Sequence, residues 1–116
     1  MGYFQGASGA LIASGSIIDL VIPFNCQVKR ATLLGDVDGS AIIEVLTDTY
    51  ANFPPTGADR ISGPGMRMAT SKAQDSGLAS WSNTFLDVGN VLRFSVSGAT
   101  TSINRVSVIL EVLKEN

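Results

Sequence analysis

Apolar and polar residues alternate with a period of two along most of the chain, which indicates β-strands rather than helices. The clearest run spans residues 103–113. One face of this run carries Val106, Val108, Leu110 and Val112. Residues 91–98 alternate in the same way, and the turn-rich stretch SGATTS separates the two runs. The pattern predicts an antiparallel pair of strands near the C-terminus.

Earlier in the chain, the same period predicts strands at 16–22, 28–34 and 40–48, and a further short strand at 8–14. The segment GDVDGS links the second and third of these, and its Asp-Gly pair favours the positive φ values of a hairpin turn. We therefore expect a hairpin there. The residues ATSKAQDS at 69–76 lack a clean alternation and are predicted to form a helical turn.

Taken together, these segments predict an all-β fold, a single antiparallel β-sandwich of jelly-roll-like type. We expect about seven to eight short strands and at most one short helical turn. With 116 residues the chain has the size of one domain. Residues 16–116 are assigned to the sandwich, and residues 1–15 to an N-terminal arm or edge strand.

Composition and charge argue against several classes of partner and chemistry. A net charge of −2 and a pI of about 4.8 are unlike a nucleic-acid-binding protein. No apolar run reaches the roughly 18 residues of a membrane-spanning helix. The chain contains no histidine, so Ser-His-Asp and Cys-His catalysis are excluded, and no metal or cofactor is expected. The lone Cys26 is interpreted as a small buried hydrophobic residue.

Ten acidic residues leave a polysaccharide-degrading enzyme as a weak hypothesis, because paired carboxylates cleave glycosidic bonds. Several of these acids lie in turns, where Asp bonds its own backbone. Asp19, Glu44 and Glu111 lie on predicted strands and are expected on solvent faces. We therefore predict no catalytic residue. GDVDGS also fails as a calcium loop, since it lacks the Gly and Glu at the spacing of an EF-hand.

Some strands carry apolar residues on both faces. Ile42 and Leu46 flank Glu44, while Ile109 and Leu113 lie on the otherwise polar face of the last strand. A sandwich buries one face of each sheet, and large apolar patches rarely stay exposed. Either loops or the N-terminal arm cover these residues, or they form a contact between subunits.

The stretch DTYANFPPTG at 48–57 combines two aromatic residues with a double proline. Pro54 and Pro55 restrict the backbone and are expected to stiffen an extended crossing between the sheets. In one interpretation, Tyr50 and Phe53 fold back as a lid over the open end of the core. In a second interpretation, the loop lies at a subunit contact.

A third interpretation of this loop is a site for host-surface glycan. Tyr50, Phe53 and Trp81 would stack on sugar rings, while Asn52 or Asp48 would bond hydroxyl groups. β-Sandwich folds host such sites, although the fold alone does not give the function.

The order of segments resembles a small β-domain of structural proteins from tailed bacteriophages. The resemblance covers roughly residues 20–114 and is carried most specifically by DTYANFPPT, together with IPFNCQ, the later LASW and the closing DVGNVLRFSVSGATTSINRVSVILEVLK. Related domains often have a bulky residue where this chain has Ala31.

The resemblance implies a non-enzymatic virion protein that assembles as a homotrimer and contacts the major capsid protein or another virion component. The length favours a capsid decoration (cement) protein over a fibre-tip or head-fibre receptor-binding module. In the trimer, the arm would lie across a neighbouring subunit, with Tyr3 and Phe4 as anchors.

Overall fold

The computed structural model describes residues 2–5, 17–63, 65–75, 77–101, 103 and 105–115, and the side chains of all of these except 2–5 and 98–100. The nine strands of this part are β1 Gly2–Gln5, β2 Ile17–Val21, β3 Cys26–Gly35, β4 Ser40–Asp48, β5 Met66–Met68, β6 Lys72–Asp75, β7 Phe85–Leu86, β8 Val91–Thr101 and β9 Arg105–Lys114. Two 3-10 turns, Tyr50–Asn52 and Gly57–Asp59, lie between β4 and β5. No helix in the described residues has the length and apolar character needed to cross a membrane.

The strands form two antiparallel sheets. Sheet I has the order β1-β9-β3-β6, with the short β7 also paired to β3, and sheet II has the order β2-β8-β4-β5. Apart from β4–β5 and β6–β7, each strand is followed along the chain by one in the other sheet. Early and late strands therefore alternate within each sheet, as in a jelly roll. The predicted all-β sandwich is confirmed.

The alternation of residues places one side of each sheet in a shared core. Phe94, Ile43 and Val45 from sheet II and Val106 and Val108 from sheet I are completely buried. Each lies on the inward face that the period of two assigns to its strand. The hydrophobic effect over these faces holds the two sheets together.

Both predicted strand pairings are wrong. The segments at 28–34 and 40–48 do not form a hairpin, because β3 belongs to sheet I and β4 to sheet II. The runs at 91–98 and 103–113 likewise separate into β8 of sheet II and β9 of sheet I. Alternation identifies which side chains face the core, but it does not identify the neighbouring strand. In the structure Leu33 pairs with Val108 and Ile43 pairs with Val96, so distant segments become partners.

Two other local predictions have different outcomes. The helical turn predicted at 69–76 is wrong, because Lys72–Asp75 form β6, which pairs with Ala31–Leu34 of β3. Long-range pairing overrides the weak local preference there. The strand predicted at 8–14 lies outside the described residues.

At one end of the sandwich, the chain crosses between the sheets twice within a small space. Gly39, in the β3–β4 connection, lies against the backbone of Thr101, the last residue of β8, and against the buried side chain of Ile103 in the β8–β9 connection. The aspartates of GDVDGS support the same end: Asp38 Oδ1 accepts a hydrogen bond from the Ser71 amide (2.9 Å), and Asp36 Oδ1 accepts one from the Arg105 amide (3.2 Å). We call this the closed end.

Replacing Gly39 tests this close approach. A Cβ at position 39 would lie 2.1 Å from the Thr101 carbonyl oxygen and 2.5 Å from Ile103 Cγ1, so one of the crossings has to move. We expect Gly39→Ala to lower the free energy of unfolding by at least about 2 kcal/mol in urea denaturation. Gly57→Ala is the matched control, since a Cβ there meets nothing within 4 Å. Equal stability of the two variants would contradict this packing.

Candidate functional site

The opposite end of the sandwich is open, and a cavity of about 350 Å³ enters the core between the sheets. It is lined by the end of β2 and the loop after it, the start of β3, β7, the start of β8 and the end of β9. The lining residues are Leu20, Val21, Ile22, Pro23, Phe24, Cys26, Leu86, Leu92, Leu110 and Val112. All are apolar or, in Cys26, weakly polar, and the volume lies in the range of small-molecule sites.

Two exposed valines, Val21 and Val112, line this cavity, and a third, Val88, lies in the loop whose amide bonds Asn25. Val21 is 63% exposed, Val88 is 55% exposed and Val112 is 39% exposed. Val112 continues the inward row of β9, in which Leu110 is only 6% exposed, so the core becomes thinner toward this end. We call these three residues the apolar rim.

Hydrogen bonds between the end loops fix the rim. The Asn25 side-chain oxygen accepts a bond from the Val88 amide (2.7 Å), and the Asn25 carbonyl accepts one from the Glu115 amide (2.8 Å). The Ile22 amide donates to the Asn90 carbonyl (2.9 Å), and the Gly89 amide donates to the Ile22 carbonyl (2.8 Å). These backbone groups are satisfied within the chain, so the surface that remains for contact is largely apolar.

Two charged residues lie close to the cavity. The Lys114 ammonium is 5.4 Å from the centre of the Phe24 ring, within the range of a cation–π contact. Cys26 is buried, and burial, reinforced by the negative charge of Glu115, raises the pKa of its thiol. The thiol is therefore a neutral part of the cavity wall at physiological pH, in agreement with the role expected for Cys26.

The DTYANFPPTG loop begins beside this end and is held by local hydrogen bonds. Asp48 Oδ1 accepts bonds from the Thr49 amide (2.7 Å) and from Asn52 Nδ2 (3.4 Å). The Thr49 side chain caps the 3-10 turn by accepting from the Asn52 amide (3.3 Å). The turn is thus fixed without contact from the ring of Tyr50, which is 77% exposed.

Phe53 lies against the outer face of sheet II. Its ring is 5.2 Å from the guanidinium carbon of Arg93, and Arg93 donates two bonds to the carboxylate of Asp19 (2.7 and 3.0 Å). The hydrogen bond to Asp19 raises the pKa of Arg93, so its cation is permanent. Tyr50 and Phe53 line a shallow cleft of about 220 Å³, in which Leu20 and Val21 also take part. The cleft and the cavity therefore share these two residues of β2.

The structure corrects two predictions about this loop. The prolines do not stiffen a crossing between the sheets, because the loop joins β4 to β5, which are neighbours in sheet II. Pro55 is buried and Pro54 is exposed. Tyr50 does not cover the core, and Phe53, at 45% exposed, contacts Arg93 on the outside of the sheet. The prediction that Tyr50 and Phe53 form a lid over the core is therefore wrong.

Trp81 is buried, unlike the exposed aromatic residues Tyr50, Phe53 and Phe85. It is 8% exposed and lines a separate small cavity of about 120 Å³, next to the buried Ala31. Its ring is therefore not available for stacking on a sugar. Asn52, by contrast, is exposed beside Tyr50.

The residues predicted to form a subunit contact differ in how deeply they are buried. Leu46 is buried because residues 60–62 run beside β4. Arg60 forms a β-bridge with Leu46, and the Ile61 amide donates a hydrogen bond to the Val45 carbonyl (2.8 Å). The Val45 amide in turn donates to Ser62 Oγ (3.0 Å). Leu46 is thus covered within the chain and is excluded as a subunit contact.

Of the other contact candidates, Ile42 and Ile109 are half-buried and Leu113 is 56% exposed. The backbone of Tyr3 and Phe4 forms part of β1, which pairs with β9 of the same chain, and their side chains lie outside the described part.

Sequence reasoning missed the residues of the open end. Phe24, Phe85 and Val88 stand in or beside turn segments, where alternation gives no information about burial. The available signal was the presence of large apolar residues within PFNC and DVGN, stretches whose other residues are typical of turns.

A scan against protein-family models gives no match, and a search of curated proteins gives none either.

Substitution of the two exposed aromatic residues tests the geometry of the loop. Phe53→Ala removes the contact with Arg93 and is expected to lower the free energy of unfolding by about 1 kcal/mol. Tyr50→Ala is expected to change it by less than about 0.5 kcal/mol, because the ring is mostly exposed. Urea denaturation of both variants measures the difference, and a larger loss for Tyr50→Ala would show that the ring packs elsewhere.

Proposed function

We propose that this chain is a non-enzymatic structural protein of a bacteriophage virion, which decorates the capsid as a homotrimer. The partners in this proposal are two further copies of the chain and the major capsid protein or another virion protein. The resemblance of residues 20–114 to phage structural domains supports the proposal. The β-sandwich fold, with the DTYANFPPT loop held on its surface, agrees with that resemblance.

The observation that carries the subunit contact is an apolar patch on the outer face of sheet I. Gln27 of β3 pairs with Phe85 of β7 on one side and with Leu113 of β9 on the other, so the three side chains lie in one row. Phe85 is 52% exposed and Leu113 is 56% exposed. Two large exposed apolar side chains, one on each side of Gln27, support a surface that another chain covers. The half-buried Ile109 lies on the same face of β9.

The charged residues on the strands of both sheets favour a structural role. Glu111 accepts a bond from Arg30 at 2.6 Å, Glu44 accepts one from Arg60 at 3.1 Å, and Asp19 is bound to Arg93. The three strand carboxylates that were expected on solvent faces are thus held in ion pairs. The Arg30–Glu111 pair lies on the same sheet as Leu113, and an ion pair at the edge of an apolar patch fixes the register of association more than its affinity.

The oligomeric state tests this proposal. We expect multi-angle light scattering at micromolar concentration to give the mass of a trimer. Leu113→Asp should shift the protein toward monomer, because burying a carboxylate in an apolar contact is costly. Val37→Asp is the control, since Val37 is 47% exposed in the β3–β4 connection at the closed end. A monomeric parent protein, or equal effects of the two variants, would contradict the proposed contact.

A second candidate function is recognition of host-surface glycan, and the exposure of Tyr50 favours it. An exposed ring on a hydrogen-bonded turn, with the Asn52 amide and the Asp48 carboxylate beside it, offers both stacking and hydrogen bonds to a sugar. Trp81, which is buried, is not part of this candidate sugar site.

Binding of purified host polysaccharide to the immobilised protein distinguishes the two functions. If the loop binds glycan, Tyr50→Ala should weaken binding by at least about tenfold, with no change in melting temperature. The control is Phe85→Ala, which alters an exposed ring on the outer face of sheet I. Equal binding by the parent protein and Tyr50→Ala would eliminate the loop as the sugar site.

A further inference from the structure

We infer that the cleft beside Tyr50 selects a neutral sugar that presents a methyl group, carried either at C6 of a deoxyhexose or in an acetamido substituent. The inference rests on the second candidate function, glycan recognition, and names the class of sugar for the same loop. The cleft lies on the outer face of sheet II, on the opposite side of the sandwich from the trimer patch, so the two surfaces are tested independently.

Strand pairing builds the floor of this cleft. Val91 of β8 pairs with Val21 of β2 on one side and with Asp48 of β4 on the other, so the three residues form one row. The row faces outward, because the next residue of β8, Leu92, belongs to the core and neighbouring residues of a strand point to opposite faces. The cleft is therefore set on paired strands, with the loop of Tyr50 beside it.

The walls of the cleft are apolar apart from one carboxylate. They are formed by Leu20, Val21, Tyr50, Phe53 and Val91, together with Asp19. An apolar cavity of about 150 Å³ holds benzene, so a cleft of about 220 Å³ has room for one six-membered ring or for its substituents. A sugar hydroxyl turned toward these walls would lose its bonds to water without gaining a partner. A methyl group in the same place gains from burial, and the cleft therefore favours it.

Polar groups at the margin of the cleft supply bonds to the ring hydroxyls. Asp48 Oδ1 accepts bonds from the Thr49 amide and from Asn52 Nδ2, whereas Asp48 Oδ2 and Asn52 Oδ1 accept none from the described residues. Both oxygens are available to hydroxyl donors. A sugar that stacks on the exposed ring of Tyr50 therefore has acceptors for its hydroxyls on one side and an apolar cleft for its methyl group on the other.

Charge around the cleft favours a neutral sugar over an anionic one. The carboxylate of Asp19 accepts two bonds from Arg93 (2.7 and 3.0 Å), and the same guanidinium lies over the Phe53 ring. Arg93 is thus already bound within the chain. The second carboxylate, that of Asp48, takes part in no ion pair among the described residues. A carboxylate or phosphate on the sugar would meet this uncompensated negative charge, which disfavours it.

The probes are two pairs of sugars, titrated into protein with isotope-labelled methyl groups and followed by NMR. L-Fucose and L-galactose differ only in a methyl or a hydroxymethyl group at C6, and N-acetyl-D-glucosamine and D-glucose differ only in an acetamido or a hydroxyl group at C2. We expect saturable shifts in the methyl signals of Leu20, Val21 and Val91. In at least one pair, the methyl-bearing sugar should bind at least about fivefold more tightly. The pair that shows this preference identifies which substituent carries the methyl group.

Variants separate the preference from the affinity. Val21→Ser should reduce the preference to less than about twofold, because its hydroxyl makes the wall polar and offers a partner to a sugar hydroxyl. Val37→Ser makes the same change at the closed end and should leave the preference unaltered. Asn52→Ala should weaken both members of a pair equally, because the hydroxyls that Asn52 bonds are common to both. All three side chains are exposed in the parent protein, so the variants should fold.

Four results would overturn the inference. Equal binding within both pairs, with shifts that Tyr50→Ala removes, would leave glycan recognition in place without selection of a methyl group. An undiminished preference in Val21→Ser would show that the methyl group lies outside the cleft. Tighter binding of D-glucuronate than of D-glucose would contradict the choice of a neutral sugar. The absence of saturable shifts with every sugar would reject glycan recognition at this loop together with the inference, while light scattering on the same samples reports the trimer separately.

Discussion

The double crossing of the chain at the closed end is the constraint on which the rest of the structure depends. Gly39 passes so close to Thr101 and Ile103 that a single methyl group has no room between them. This contact brings together the two connections that send β4 and β9 into different sheets from their predecessors. Glycine is required there for close approach of two backbones, since its φ lies outside the left-handed region.

The two ends of the sandwich consequently differ in character. At the closed end, Ile103 fills the space between the sheets and is completely buried. At the open end, the inward row of β9 extends to the partly exposed Val112, and the core opens to solvent. Most of the exposed large apolar side chains lie around this open end, including Val21, Phe85 and Leu113. The contact with other chains that we propose would therefore lie at this end.

The strands and the fold class were predictable from the sequence, because burial repeats with the period of the pleat. The strand partners were not, since Leu33 and Ile43 face the same core from opposite sheets and alternation is identical in both cases. The burial of Leu46 could not be predicted either, because it depends on residues 60–62 lying beside β4 after a long loop. Of the candidate site residues, Tyr50 and Leu113 are exposed, whereas Trp81 is buried, which only the tertiary structure could show.

Hydroxyl-radical footprinting of side chains, on the free protein and on the protein in the proposed virion particle, tests the central claim most directly. If the open end is the contact surface, oxidation of Val21, Phe24, Phe85 and Leu113 should fall on assembly, while oxidation of Val37 at the closed end should stay the same. Protection of Val37 with undiminished oxidation around the open end would contradict the account.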